Sequence, residues 1–227
     1  MSVNLELRPN FRSFTCWQPC LPRPAKTPPN GSYWIHEIKH DGFRILAEKD
    51  GGRVRLVTQH GYDCTDQYPL ALAAVSALPA RSCIIDNEII VCNDDGLAVY
   101  DLLRARTHDH LAILCAFDLI GLDGADLRST AIEDRKQRLA WLLRSAHDGI
   151  AMNRHYDGDG AMVYKDACAF GCEGIVSKRR GSPYSAGRSS YWLRVKNPKS
   201  LAAKRTSAGR RPADGFRPAR FDRMCVL

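Results

Sequence analysis

An apolar run between Cys83 and Cys92 carries two acids, Asp86 and Glu88, in its middle. The run is short and rich in isoleucine, which predicts a buried β-strand. Side chains alternate along a strand, so both acids lie on the same face. A charge inside a sheet is costly unless it is paired or binds a ligand. This face must therefore border an ion pair at a sheet edge or a polar ligand site.

Three other predicted strands also carry charges. They hold Phe117-Asp118 in a buried run, Glu173 and Lys178 at the two ends of an apolar run, and Arg194 and Lys196 on one face of residues 192–196. A salt bridge at a sheet edge explains each of these alone. Together they favour a site for a nucleoside triphosphate and its metal ion. Bases would contact phosphate, acids would contact Mg²⁺ and ribose, and an aromatic ring would contact the purine.

The stretch Glu37-Ile38-Lys39-His40-Asp41-Gly42-Phe43-Arg44 joins two predicted strands, residues 33–38 and 43–47. Lys39 therefore lies beside the Asp41 carboxylate at a strand end or a tight turn. The glycine that follows lacks a Cβ and lets a ligand approach the main chain closely. A solvated Lys–Asp pair in a hairpin is the alternative, and this stretch alone does not decide between the two.

Strand and helix patterns are mixed without a regular βαβ order, which predicts an α+β fold with antiparallel sheets. Asp50-Gly51-Gly52 predicts a hairpin between strands 43–47 and 54–58. Helices are predicted at residues 68–78, 97–106, 132–144 and 160–170, and a loop at 181–190. The third helix is expected to be amphipathic, with a polar side formed by Glu133, Arg135, Lys136 and Arg138.

A chain of 227 residues can bury a substantial core. We expect an extended N-terminal segment over residues 1–20, a folded domain over 21–200 and a basic, disordered tail over 201–227. From residue 197 onward there are eight Lys or Arg and two Asp, so most of the net charge of +8 lies at this end. Such an end suits a polyanion, and a solubilising tail is the alternative.

Nine cysteines without a Cys-x-x-Cys pair predict neither a disulfide framework nor a zinc site. The N-terminal residues contain no apolar segment long enough for a signal peptide or a membrane helix. We therefore expect a reduced, cytoplasmic monomer that does not enter a membrane and that, in a bacterium, associates with the nucleoid.

The charged segments occur in an order that resembles the nucleotidyltransferase motifs of ATP-dependent DNA ligases, in particular the ligase module of bacterial end-joining ligases. The matching motifs, within residues 20–200, are Lys39-x-Asp41-Gly42-x-Arg44, Asp86-x-Glu88, Phe117-Asp118, Glu173-Gly174-x-x-x-Lys178 and Trp192-x-Arg194-x-Lys196. The resemblance implies a ligase-type nucleotidyltransferase fold, in which helices flank two antiparallel sheets and ATP binds between the sheets.

By position in these motifs, Lys39 is implied to be the nucleophile that attacks the α-phosphate of ATP and becomes lysyl-AMP. The implied nucleotide contacts are Glu37, Ile38, Arg44, Glu88, Phe117, Lys178, Arg194 and Lys196. Among them, Glu37 would face the adenine N6, Arg44 and Glu88 the ribose, Phe117 the adenine ring, and Lys178 and Lys196 the α-phosphate. Asp41, Glu88 and Glu173 are implied to hold Mg²⁺ or Mn²⁺. Three nearby cations, Lys178, Lys196 and Mg²⁺, are expected to lower the pKa of Lys39 and so favour the reactive neutral amine.

The AMP group would then pass to the 5′-phosphate of nicked or broken double-stranded DNA, and the neighbouring 3′-hydroxyl would displace it, sealing the strand in repair. Arg179, Arg180, Arg188 and Lys199 are expected to contact this DNA. Such ligases normally continue into an oligonucleotide-binding barrel, for which the residues after Pro198 are too few. Without the barrel, DNA would be held by the basic face around Lys178 to Lys199, by the C-terminal tail, or by a clamp or end-binding protein that replaces the barrel.

Three residues depart from the usual motifs. Asn87 stands where these ligases usually have glycine, so the turn at Asp86–Glu88 is expected to be tighter or shifted. Gln59 stands where many relatives have arginine, which puts a phosphate contact in doubt. Arg194 replaces the more usual lysine, which keeps the charge but not its point geometry.

Two alternatives remain open. An RNA ligase or an mRNA-capping guanylyltransferase shares the lysine motif, although Glu37 and the run that begins at Glu173 favour the DNA ligases. A non-catalytic nick- or end-binding remnant would keep the basic surface, but it would not require an intact Lys39 motif.

Overall fold

The computed structural model describes residues 18–146 and 148–207, and these residues form two β-sheets with helices on their outer faces. The strands are β1 (Cys20–Pro24), β2 (Trp34–Lys39), β3 (Phe43–Asp50), β4 (Arg53–Thr58), β5 (Ser82–Ile90), β6 (Ile113–Leu122), β7 (Ala125–Asp126), β8 (Ile150–Met152), β9 (His155–Tyr156), β10 (Gly174–Arg179) and β11 (Gly187–Lys196). The α-helices are α1 (Pro69–Ser76), α2 (Tyr100–Arg104), α3 (Ile132–Leu143), α4 (Gly160–Ala169) and α5 (Leu201–Ser207).

Sheet A orders its strands β1-β11-β10-β2-β9, and sheet B orders them β4-β3-β5-β6-β7, with β8 beside β6. Neighbouring strands are antiparallel except for the pairs β1–β11 and β6–β8, which are parallel. The predicted hairpin around Asp50-Gly51-Gly52 joins β3 to β4. The prediction of an α+β fold built on two mainly antiparallel sheets is confirmed.

An apolar layer holds the two sheets face to face. Leu46 and Ile120 of sheet B pack there with Trp192 of sheet A. The opposite face of sheet B packs on α1 and α3. On the outer face of sheet A, Ala167 of α4 packs against Ile175 of β10. Each sheet is therefore covered on its outer face, while the inner faces remain available to form a cleft beside the shared apolar layer.

Helix α3 differs from the prediction on its polar side. Arg135 and Lys136, expected to face solvent, are buried to 0% and 2% exposure. Both are ion-paired inside the protein, Arg135 with Asp118 and Lys136 with Glu37. The prediction was wrong for these two residues because a periodicity of polar residues does not distinguish solvent from a buried counter-ion.

Asn87 also lies in a different setting from the one expected. It is a fully buried residue inside the continuous strand β5, not part of a turn. Strand β6 shifts register opposite Asp86 and Asn87, which marks a β-bulge. The side-chain amide donates to the carbonyl oxygen of Ile85 at 2.8 Å. The departure from glycine is thus accommodated by an extra backbone contact.

Both ends of the expected domain contain structure that was not predicted. Strand β1 pairs with β11, which begins at Gly187 inside the expected loop. Residues 201–207, expected to begin a disordered tail, form α5, so the prediction was wrong for this segment. The rest of that tail, residues 208–227, and residues 1–17 of the expected N-terminal segment lie outside the described residues. None of the helices in the described part of the chain is long and apolar enough to cross a membrane.

Candidate active site

Strand register brings the predicted site residues of sheet A into three successive rows. The rows across β2, β10 and β11 are Lys39–Gly174–Lys196, Glu37–Val176–Arg194 and Ile35–Lys178–Trp192. Successive rows are two residues apart, or roughly 6.6 Å along a strand. Three strands of sheet A therefore place Lys39 and Lys196 at one end of this face, and Glu37 and Lys178 further along it.

A cavity of about 430 Å³ opens over these rows, between the two sheets. Sheet A contributes Glu37, Ile38, Lys39, Val176, Lys178, Trp192 and Arg194, and sheet B contributes Phe43, Arg44, Glu88 and Phe117. Seven of the eight predicted nucleotide contacts line this cavity, and Lys196 lies in the row of Lys39 at its edge. The sequence motifs are thus brought together around one space.

Two glycines allow the backbone to close around the reactive end of the cavity. A Cβ at Gly42 would lie 2.2 Å from the Ile89 carbonyl oxygen, and one at Gly174 would lie 2.0 Å from the Val195 carbonyl oxygen. Gly174 also has a φ of +144°, which side-chain-bearing residues rarely adopt. A larger residue at position 42 would push β5 away from the turn after Lys39, and one at position 174 would displace β11, which carries Lys196.

Lys39 is held by a carboxylate that it shares with a second lysine. Its Nζ donates to Oε2 of Glu173 at 2.6 Å, and Nζ of Lys196 lies 2.9 Å from Oε1 of the same carboxylate. Burial opposes ionisation of Glu173, but Lys39 and Lys196 outweigh it and hold the pKa of Glu173 below its ordinary value. Glu173 therefore stays ionised between the two ammonium groups.

The protonation of Lys39 differs from the expectation. Burial acts to lower its pKa, but Glu173, Glu88 and Asp41 together outweigh burial and raise the pKa above its ordinary value. The expected lowering by Lys178 and Lys196 was wrong because carboxylates, not cations, are the nearest charges. In this state Lys39 is an ammonium ion that must lose a proton before it can act as a nucleophile.

The three carboxylates predicted to hold a metal ion do not form one ligand set. Within residues 18–146 and 148–207, no group of three or more His, Cys, Asp or Glu side chains is arranged to bind a metal. Both oxygens of Asp41 accept hydrogen bonds from Arg205, and both oxygens of Glu173 are taken by lysines. Burial raises the pKa of Glu88 to about 7, so Glu88 carries a proton part of the time at neutral pH.

A buried cluster of charges forms the far end of the cavity. The Glu37 carboxylate is 1% exposed and lies between two lysines, with Oε1 at 2.6 Å from Nζ of Lys136 and Oε2 at 2.8 Å from Nζ of Lys178. Lys178 also donates to the Phe117 carbonyl oxygen at 3.2 Å. Burial lowers the pKa of Lys178, and the charge of Lys136 acts in the same direction. Lys178 therefore contacts Glu37 and does not lie beside Lys39. This position does not support the prediction that Lys178 contacts the α-phosphate.

Aromatic and cationic groups line the wall next to this cluster. The Phe117 ring is half-buried and meets Trp192 edge to face, with centroids 6.1 Å apart. Nζ of Lys178 lies 4.7 Å from the Phe117 centroid and the guanidinium of Arg44 lies 5.3 Å from it. Val176, also half-buried, packs in the same cluster from sheet A. A flat apolar ligand could therefore pack between the Phe117 ring on sheet B and the aliphatic side chain of Val176 on sheet A.

Arg44, predicted to contact the ribose, is already engaged in the protein. It donates from Nε to Oδ1 of Asp86 at 2.9 Å and from Nη2 to Oδ2 at 2.5 Å. Tyr184 donates to the same Oδ2 at 2.6 Å. Asp86 and Glu88 share a face of β5 as predicted, but Asp86 serves to orient Arg44 while Glu88 faces the cavity.

The residues expected to contact DNA lie outside the cavity. Arg179, Arg188 and Lys199 are exposed, whereas Arg180 is held by Asp157 and by the Ser32 carbonyl oxygen.

Gln59 lines the cavity together with His60, and the Gln59 Nε2 and His60 Nε2 atoms are 3.2 Å apart.

Sequence reasoning missed three residues that contact site side chains: Lys136, Asn153 and Arg205. Asn153 donates to the Ile38 carbonyl oxygen at 3.1 Å and lies beside the His40 ring, whose pKa burial lowers to about 4. Lys136 reaches Glu37 from α3, and Arg205 reaches Asp41 from α5. Their sequence positions gave no signal, because each belongs to a segment interpreted as surface, loop or tail.

Residues 25–196 match the family described as ATP dependent DNA ligase domain. The multifunctional non-homologous end joining protein LigD of Pseudomonas aeruginosa is 33% identical over 178 residues, which cover 76% of this chain and 21% of that protein. The SPbeta prophage-derived DNA ligase-like protein LigB of Bacillus subtilis is 29% identical over 184 residues, 79% of this chain and 67% of that protein. The solved structure of mycobacterial DNA ligase D complexed with ATP and MES matches with a TM-score of 0.72 at 30% identity, over 81% of this chain and 61% of that one. The chain thus spans about a fifth of the length of the LigD protein.

Proposed function

Because the chain belongs to the family of ATP-dependent DNA ligases, we propose that it forms a covalent lysyl-AMP on Lys39 and transfers the AMP to the 5′-phosphate of nicked or broken double-stranded DNA. The observation that supports this proposal is the row Lys39–Gly174–Lys196, in which two lysines lie on either side of the Glu173 carboxylate at one end of the cavity. The neighbouring 3′-hydroxyl then displaces AMP and joins the strand.

We infer the direction in which ATP binds from the aromatic wall at one end of the cavity. Phe117, Val176 and Glu37 form a slot suited to the purine, and the Lys39 and Lys196 ammonium groups at the other end are suited to the α-phosphate. Lys178 belongs to the purine end, because its ammonium group contacts Glu37 and Phe117. The ribose then lies between the two ends, within reach of Arg44.

In the first chemical step, the neutral Nζ of Lys39 forms a bond to the α-phosphorus of ATP. The bond from this phosphorus to the bridging oxygen breaks, and pyrophosphate leaves with the electron pair. Since Lys39 starts as an ammonium ion paired with Glu173, it must first release a proton and open this ion pair. Lys196 remains as a cation that stabilises the charge developing on the phosphate oxygens.

Glu173 and Glu88 are the carboxylates that would hold Mg²⁺ or Mn²⁺, since both lie close to Lys39, both metal ions prefer oxygen ligands, and opening of the Lys39–Glu173 ion pair frees an oxygen of Glu173. A metal ion held there would neutralise negative charge on the phosphate oxygens. Asp41 is engaged by Arg205 and is not required in this set.

The test is transfer of radiolabel from ATP in the presence of Mg²⁺, followed by a denaturing gel and then by addition of nicked DNA. We expect a labelled protein band with the wild type and none with Lys39→Ala, while Lys39→Ala keeps its melting temperature within a few degrees because Lys196 still pairs with Glu173. Label retained in Lys39→Ala would overturn the proposed nucleophile. Labelling by GTP but not ATP would favour a capping enzyme, and labelling without transfer to nicked DNA would refute the ligase activity.

A further inference from the structure

We propose that Lys136 is a positioning residue for nucleobase selection: it holds Glu37 so that the carboxylate accepts a hydrogen bond from the amino group of adenine and disfavours guanine. This inference rests on the proposed function, because it concerns the purine end of the same nucleotide site. Lys136 lies on α3, far in sequence from the strands that carry the other site residues.

Lys136 makes two hydrogen bonds, and one of them holds the Glu37 carboxylate in place. Its Nζ donates to Oε1 of Glu37 at 2.6 Å and to the Asn153 carbonyl oxygen at 3.1 Å. The side chain is 2% exposed, so water does not compete for these bonds. Asn153 in turn donates to the carbonyl oxygen of Ile38, and Ile38 lies between Glu37 and Lys39 in the chain. Lys136 therefore fixes both the carboxylate and the backbone that presents it.

Two lysines restrain the carboxylate more strongly than one. Lys136 holds Oε1 and Lys178 holds Oε2, so rotation of the Glu37 carboxylate would break at least one charge-assisted hydrogen bond. Each carboxylate oxygen can accept two hydrogen bonds, so each keeps one acceptor position beside its lysine, and Glu37 is one of the residues that line the cavity. Both ammonium groups donate to Glu37, so its carboxylate is the group in this cluster that can accept a hydrogen bond from a ligand.

An acceptor at this place discriminates between the two purines. The exocyclic N6 of adenine is a donor, whereas the O6 of guanine is an acceptor that a carboxylate oxygen repels. Without Lys136, Glu37 is held by Lys178 alone and is free to turn, and Lys178 can then donate to a guanine O6. We therefore expect loss of Lys136 to weaken ATP binding and to reduce the preference for ATP over GTP.

Arg135 provides a matched control on the same helix. It is the neighbouring buried cation, and it pairs with Asp118 through two hydrogen bonds at 2.7 and 2.9 Å. Neither Arg135 nor Asp118 lines the nucleotide cavity. A substitution there perturbs a buried ion pair to a similar degree but leaves Glu37 with both of its lysines.

The experiment measures self-adenylation by ATP and by GTP in single turnover, together with the melting temperature. For Lys136→Met we expect the half-saturating ATP concentration to rise at least ten-fold, the maximal rate to change less than three-fold, and the ATP-to-GTP preference to fall at least ten-fold. Lys136→Arg, which keeps the charge, is expected to restore part of the preference. Arg135→Lys is expected to lower the melting temperature without altering the preference.

An unchanged preference in Lys136→Met, or an equal change in Arg135→Lys, would overturn the inference. If Lys136→Met does not fold, Lys136→Gln serves in its place: it removes the charge but keeps a shorter donor, so its ATP-to-GTP preference is required to fall below that of both the wild type and Arg135→Lys. Failure of the proposed function is distinguishable, because the wild type would then take no label from either nucleotide.

Discussion

Arg205 of α5 donates from Nη2 to both carboxylate oxygens of Asp41, at 2.5 Å each. The same guanidinium lies 4.9 Å from the centre of the Tyr100 ring and donates to Asp101 at 3.2 Å. These contacts join the last helix of the described chain to the turn that follows Lys39. The segment after β11 therefore contributes directly to the surroundings of Lys39.

Loss of this contact is expected to destabilise the protein in a pH-dependent way. Burial raises the pKa of Asp41 and Arg205 opposes that rise, so Arg205→Ala should raise the pKa further. A carboxyl group with a raised pKa stays protonated to a higher pH in the folded than in the unfolded protein. The stability of the folded protein therefore falls as pH rises from the unfolded-state pKa of this group to its folded-state pKa. We expect a loss of about 1.5–3 kcal/mol at pH 8, as for a hydrogen bond to a charged group, and a smaller loss at pH 5.

Thermal unfolding at the two pH values measures this difference. Lys204→Ala, an exposed position on the same helix, removes the same charge and is the control. Equal losses at pH 5 and pH 8 in Arg205→Ala would contradict the role assigned to the Asp41 carboxylate.

Glu88 gives a second pH-dependent prediction. Its pKa is raised by burial to about 7, against 4.5 for an ordinary glutamate, so stability falls as pH rises between these values. Glu88→Gln cannot titrate, and its melting temperature relative to the wild type should therefore increase from pH 5 to pH 8. The comparison is made in EDTA, so that no divalent cation changes the charge of the site. If the difference in melting temperature between the two proteins stays the same from pH 5 to pH 8, Glu88 does not titrate in this range.

The elements around Lys39 could be predicted because their signals are local. Strands β2, β3 and β4 follow from alternation and a glycine turn, and the order of motifs placed Lys39, Phe117 and Glu173 around one site. Helix α4 agrees with the helix predicted at 160–170, and it is followed by Gly171, whose φ of +83° suits a residue without a Cβ.

The rest depended on partners that are distant in sequence. Lys136 is buried only because Glu37, 99 residues earlier, neutralises it. Strand β1 contains two prolines and is organised by pairing with β11, and β7 and β9 have two residues each, too few for a periodic pattern. The pKa of Lys39 could not be predicted from its motif, because the direction of the shift depends on which charges lie nearest in space.

Phe117 is expected to act on nucleotide binding more than on stability. Its ring is half-buried, and Phe117→Ala should weaken ATP binding by about 1–3 kcal/mol, the range for stacking of a base on an aromatic ring. Leu119 on the same strand is fully buried, and Leu119→Ala should instead cost about 2–5 kcal/mol of stability at unchanged affinity. Calorimetric titration with ATP, in the Lys39→Ala background to prevent turnover, separates the two effects. A large melting shift at unchanged ATP affinity in Phe117→Ala would show that the ring is purely structural.

The basic C-terminal end is expected to affect DNA binding without affecting the chemistry at Lys39. Truncation after Ser207 keeps α5 and its contact with Asp41, and it removes five arginines and two aspartates. If these arginines contact phosphates, truncation should weaken binding to nicked DNA and flatten the dependence of affinity on salt, because fewer counter-ions are released. Self-adenylation should remain unchanged, since Lys39, Glu173 and Lys196 all precede the cut. Binding measured between 50 and 200 mM salt provides the test, with a variant in which the five arginines are replaced by glutamine as the length-matched control. An unaltered affinity and salt slope in both variants would assign DNA binding to the exposed basic residues of the folded domain, Arg179, Arg188 and Lys199.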